Sequence, residues 1–143
     1  MKFWDSSAIV PLLVREVSTR HLQGLYREDP VLLVWALTPA EVISALCRRH
    51  REGALTAGGL QESLDRLGSL RADWSETQDI VPVRDRAERI LRVHPLPAAD
   101  AFQLGAALIL TEERPQGFPF VTLDRRLAEA AAREGFRAEG AGR

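Results

Sequence analysis

The sequence predicts an α/β fold: a three-layer α/β/α sandwich with a central parallel sheet of four or five short strands. Two observations carry this. Short apolar runs alternate along the chain with longer stretches of helical periodicity, the pattern of a sheet covered by helices. The runs are also continuously apolar, as in parallel strands buried on both faces. The chain has 143 residues, enough for one core, with no linker, repeat or low-complexity tract. Residues 1–143 therefore read as a single domain, with 139–143 a Gly/Ala-rich, frayed tail.

In order, Phe3 and Trp4 form a short strand ending at Asp5. A helix follows over Ser6–Leu13, with Ile9, Leu12 and Leu13 apolar and Pro11 placed near its start. Thr19–Arg27 reads as a second helix with Leu22, Leu25 and Tyr26 inward, broken by Asp29-Pro30. Val31–Trp35 is a buried strand. Thr38-Pro39-Ala40-Glu41 has the form of a capping box with proline at the first helical position, and its helix runs to about Arg51, ending at Gly53.

Thr56 to about Trp74 is a long helix whose Leu60, Leu64, Leu67 and Leu70 make one apolar stripe, spare surface for a second copy of the chain. Ile80–Val83 reads as a third strand, followed by an amphipathic helix over Arg84–Val93 with Ala87, Ile90 and Leu91 inward. Ala98–Leu110 is apolar almost all round, a buried helix whose one charge is Asp100. Pro119–Leu123 is a fourth strand, Asp124–Glu134 a helix stopped by Gly135, and Phe136–Ala138 an edge strand.

Composition narrows the function. The net charge is −1, so no global basic field marks a passive nucleic-acid binder, whereas an enzyme that borrows positive charge from metal ions is compatible. The single cysteine, Cys47, excludes an internal disulfide and Cys-rich zinc patterns. The only lysine is Lys2, and no GxxxxGK[ST] or GxGxxG motif occurs, so nucleotide-binding loops are excluded. His21, His50 and His94 form no metal motif, and Ser7 lies in no GxSxG elbow. The N-terminal apolar run is too short for a membrane span and lacks a leader-peptide cleavage pattern, so the expectation is a cytoplasmic protein with no membrane partner.

Four acids stand out by position. Asp5, Glu41, Asp100 and Asp124 each fall at the start of a helix, just beyond a strand or its connection. Each has an ordinary structural explanation, as an N-cap or as an acid at the positive end of a helix dipole. In a parallel sheet, however, such joints gather at the carboxyl edge, where ligands bind. Four converging carboxylates repel one another, by about 4 kcal/mol for a pair ~4 Å apart at an effective dielectric of 20. Protonation or a cation must relieve that repulsion, and oxygen ligands suit Mg²⁺ or Mn²⁺. Asp100 is the sharpest case, being an acid on an apolar helix.

The same residues resemble the PIN domain, and within it the toxin ribonucleases of the VapC type. DSSAIVPLL, TPAEVISALCRR, HPLPAADAFQLGAAL and FVTLDRRLAEAAAREGF resemble the family's four blocks in order, end to end along the chain. The resemblance implies Mg²⁺- or Mn²⁺-dependent cleavage of RNA, a homodimer, and a small antitoxin protein lying across the active-site groove. It implies an acidic site of Asp5, Glu41, Asp100 and Asp124, supported by Ser7 and Thr122. Asp5 and Asp100 are the expected direct metal ligands, with Glu41 and Asp124 binding directly or through water. RNA-binding candidates are Arg48, Arg49 and Arg51, together with Arg125 and Arg126. Two other readings remain: a housekeeping PIN nuclease in RNA processing, and a catalytically silent PIN-fold binding module. The compact length favours the toxin.

Overall fold

The computed structural model describes residues 1–141. Its elements are β1 (Lys2–Trp4), α1 (Ser6–Leu13), α2 (Thr19–Glu28), β2 (Leu32–Trp35), α3 (Thr38–Arg51) and α4 (Ala57–Asp73), then β3 (Ser75–Thr77), α5 (Ile80–Val93), α6 (Ala98–Leu110), β4 (Pro119–Thr122), α7 (Arg125–Glu134) and β5 (Arg137–Gly140). The sheet has five strands in the order β3-β2-β1-β4-β5, every pairing parallel. The expected α/β/α sandwich is the observed one.

The period-2 alternation of a strand divides the side chains between two cores. Phe3, Leu33, Trp35 and Phe120 face one side, under α5, α6 and α7. Trp4, Leu32, Val34 and Val121 face the other, under α1, α3 and α4. Because helices cover both faces, the central strands are apolar except at Lys2, which opens β1, and Thr122, which closes β4.

Several expectations are corrected. Ile80–Val83 is not a strand but the first turn of α5. Pro82 is tolerated there because early helical N–H groups lack intrahelical partners anyway. Val83 then joins Ala87 and Ile90 in a buried stripe, while Leu91, expected inward, is 41% exposed. The third strand is instead the polar Ser75–Thr77, paired through Leu33↔Ser75 and Trp35↔Thr77 at the sheet edge. Pro11 sits in the second turn of α1 rather than at its start, and its carbonyl accepts from Thr19 Oγ1 at 2.8 Å.

Thr38 is no N-cap. Leu37 holds that position without a side-chain bond, so the capping box does not form. The leucine stripe of α4 packs on the chain's own core, with Leu67 buried and Leu60, Leu64 and Leu70 half-buried against it, so it is not spare surface. Glu139 and Gly140, expected in a frayed tail, belong to β5; residues 142 and 143 of that tail lie outside the described residues. Among the described residues no helix is long and apolar enough to cross a membrane.

Candidate active site

The strand order reverses beside β1. From it the chain builds outward through β2 and β3 on one side, and later through β4 and β5 on the other. The crevice at such a reversal, outside the carboxyl ends of the strands, is where open α/β sheets bind ligands. Asp5 follows the last residue of β1 and is locked to this seam by its backbone N–H, which donates to Val121 O at 2.9 Å. Asp124 lies two residues beyond β4.

Both acids are N-caps. Asp5 accepts from the Ser7 N–H at the head of α1, and Asp124 Oδ1 accepts from the Leu127 N–H of α7 at 3.0 Å. Glu41 and Asp100 stand in the first turns of α3 and α6. The ordinary capping explanation therefore holds for two of the four, yet it does not account for their shared position.

Asp5 is 2% exposed, and its Oδ2 gathers three donors. These are Ser7 Oγ at 2.5 Å, Thr122 Oγ1 at 2.9 Å and the Ser7 N–H at 3.3 Å. Ser7 Oγ in turn accepts from the Leu123 N–H at 3.0 Å, and Thr122 Oγ1 from the Asp124 N–H at 3.0 Å. Ser7 and Thr122 thus tie α1, β4 and the Asp124 turn to one carboxylate oxygen. Burial pushes the Asp5 carboxyl up; the Ser7 and Thr122 bonds oppose that, and the Asp124 charge adds to it.

Glu41 is held at both oxygens. Ser6 Oγ donates to Oε2 at 2.8 Å, and Gln103 Nε2 donates to Oε1 at 3.2 Å. Burial raises its pKa, and the charge of Asp5 raises it further. Asp100 is pushed from 3.8 to about 7, first by burial and then by the charges of Asp5, Asp124 and Glu41, with no hydrogen bond among the causes. Asp100 therefore lies within electrostatic reach of the other three acids.

Among the described residues, no three of His, Cys, Asp or Glu stand close enough to hold a metal ion as they are. The donor set nevertheless fits a hard divalent cation. It is all oxygen, its charge is uncompensated at Asp100, and the hydrogen bonds to Asp5 and Asp124 leave an oxygen of each less engaged.

The five arginines are dispersed. Arg48 is exposed and lines a cleft with Ser6, Ser7, Glu41 and Leu123. Arg49 is occupied, bonding Glu16 at 2.6 and 2.7 Å and the Ala45 carbonyl at 3.2 Å. Arg51 ends α3, about 15 Å along the helix axis from Glu41 at 1.5 Å per residue. Arg125 and Arg126 are exposed in the first turn of α7, directly after Asp124. Gln103 and Ser6, both touching Glu41, were not singled out from the sequence for that contact. The available signal was Gln103's place one turn beyond Asp100 on an apolar helix.

A family model described as PIN domain matches residues 2–133. The chain belongs to the PIN domain family. PIN domains are generally metal-dependent nucleases. No curated protein matches the sequence. Among solved structures, PAE2754 from Pyrobaculum aerophilum is similar at 19% identity and a TM-score of 0.65, over 98% of this chain and 86% of that one. FitAcB from Neisseria gonorrhoeae is similar at 18% identity and a TM-score of 0.64, over 96% of both chains. At these identities the likeness is one of fold.

Proposed function

We propose that this PIN domain is a metal-dependent endoribonuclease, the toxin of a type II toxin–antitoxin pair, whose four carboxylates serve hydrolysis of RNA phosphodiester bonds. The observation that carries the nuclease reading is the convergence of Asp5, Glu41, Asp100 and Asp124, from four separate segments, on the crevice beside β1. It is registered in Asp100, where three like charges and burial lift the carboxyl to about 7. A proton or a cation must relieve that site at neutral pH. One or two Mg²⁺ or Mn²⁺ ions, when bound, supply an acidified water and charge relief for the phosphoryl centre.

Asp5 and Asp100 are the direct ligands in this reading, with Glu41 and Asp124 binding directly or through water. Ser7 and Thr122 hold Asp5 Oδ2, which leaves Oδ1 with only the long Ser6 Oγ contact at 3.4 Å. In this reading Arg48, Arg125 and Arg126, all exposed, meet RNA phosphates, and helix N-termini at the same edge offer backbone donors. Arg49 reaches RNA only by releasing Glu16.

The toxin role, the antitoxin and the homodimer are carried by the resemblance of the four sequence blocks. The test is direct. Purified chain, freed of any antitoxin, is incubated with RNA in Mn²⁺, in Mg²⁺ and in excess chelator. Cleavage with either metal, lost in chelator and in Asp100→Asn, is expected. Cleavage undiminished in chelator would sink the reading. Growth arrest on expression, relieved by a neighbouring small open reading frame, tests the toxin role, and its absence favours a housekeeping nuclease.

A further inference from the structure

Gln103 is fully buried and is the one polar side chain among the buried positions of α6. Its Nε2 donates to Thr38 Oγ1 at 3.1 Å and to Glu41 Oε1 at 3.2 Å, and its Oε1 is buried without a partner. A half-satisfied buried amide is costly, and an apolar side chain of the same length would remove that cost. The amide's orientation follows from Glu41: reversing it would set oxygen against carboxylate oxygen.

The geometry is reciprocal. Thr38 and Glu41 stand three residues apart on α3, and Asp100 and Gln103 stand three apart on α6, so each helix presents one acid and one neutral group along a face. Ser6 Oγ grips the other oxygen of Glu41 from α1.

We propose that Gln103 is a positioning residue, orienting the Glu41 carboxylate toward the metal site, an inference that rests on the metal-dependent nuclease reading. Gln103 touches neither the RNA nor the reacting atoms. It acts through Glu41, fixing from inside the core the direction from which that acid meets its cation. The unpartnered Oε1 is then the cost of a group kept for aim rather than for packing.

The experiment is calorimetric titration of the full chain with Mn²⁺, paired with steady-state RNA cleavage and a thermal melt. Gln103→Met keeps the length and removes the donor. It is expected to weaken Mn²⁺ binding about 10- to 100-fold, as loss of partners behind a metal ligand does, and to lower kcat with little change in the KM for RNA. Its melting point should match or exceed that of the unaltered chain. Thr38→Val, which releases only the amide's anchor, should move the Mn²⁺ affinity in the same direction by a smaller factor. Leu108→Val, a core truncation on the same helix away from the acids, should lower the melting point and leave the affinity unchanged.

Mn²⁺ binding by Gln103→Met equal to that of the unaltered chain overturns the inference alone. So does a parallel loss in Gln103→Met and Leu108→Val, which would make Gln103 merely structural. An unaltered chain that fails to bind Mn²⁺ overturns the proposed function itself, and this inference with it.

Discussion

Asp100 carries the least compensated charge in the site. Asp5 is more deeply buried but is answered by Ser7 and Thr122, and Glu41 by Ser6 and Gln103. Asp100 has only burial and three like charges, all pushing its carboxyl up to about 7. Replacing it by asparagine removes that strain. Because the group is half-exposed, water screens much of the shift, and we expect about 1–2 kcal/mol of added stability in metal-free protein above pH 7. For a chain of this size that is about 4 °C in Tm per kcal/mol. The same substitution should abolish metal-dependent cleavage, so a melt and an RNA assay on Asp100→Asn should move in opposite directions. Asp100 was legible in the sequence because it was the one charge on an apolar helix. Gln103, equally anomalous there, escaped notice because an uncharged amide stands out less from its neighbours.

At the scale of an element, the helices that bear the acids follow their sequence closely, and the sheet edges do not. β3 is polar because only β2 pairs with it, so Ser75 and Glu76 need not be apolar. The neighbouring Ile80–Val83 run has the β-branched look of a strand, but Val83 completes the helical spacing of Ala87 and Ile90. Thr38 and Glu41 have the spacing of a capping box and use it instead to meet Gln103 on α6. Sequence spacing specified which face these residues share, whereas the element across from that face was a tertiary fact.

The other edge has a tighter constraint. Gly140 ends β5 at φ +99°, and a Cβ there would lie 2.7 Å from the Thr122 carbonyl, beside the hydroxyl that holds Asp5. Gly140→Ala should therefore cost about 1–3 kcal/mol, the usual range for a side chain forced into that backbone region. Chemical denaturation measures this, and an unchanged midpoint would show that β5 yields freely.

For the whole molecule, the acids link stability to pH and to metal. Between the ordinary carboxyl value of 3.8 and about 7, the folded chain keeps a proton on Asp100 that the unfolded chain has released. Stability therefore falls as pH rises through that window and stays reduced above it. Asp5 and Glu41, also raised, contribute in the same direction. The Tm difference between Asp100→Asn and the unaltered metal-free chain should be small near pH 4 and grow toward pH 8. A difference independent of pH would contradict the electrostatic origin.

Divalent metal, bound as proposed, should reverse the penalty. At a free Mn²⁺ concentration of 100 times Kd, the unaltered chain should gain about 2.7 kcal/mol, and Asp100→Asn much less. The parallel sandwich and the chain order of the acids were legible in the sequence. The hydrogen bonds that hold Glu41 were not, since Ser6 and Gln103 reach that acid only through tertiary packing.

The most direct measurement is a crystal structure of the chain with Mn²⁺ soaked in, read by anomalous scattering. An anomalous peak in the crevice beside β1, in contact with the carboxylates of Asp5 and Asp100 and with Glu41 and Asp124 drawn around it, is the predicted result. A crystal saturated with Mn²⁺ that shows no peak there, with the four acids left apart, would contradict it.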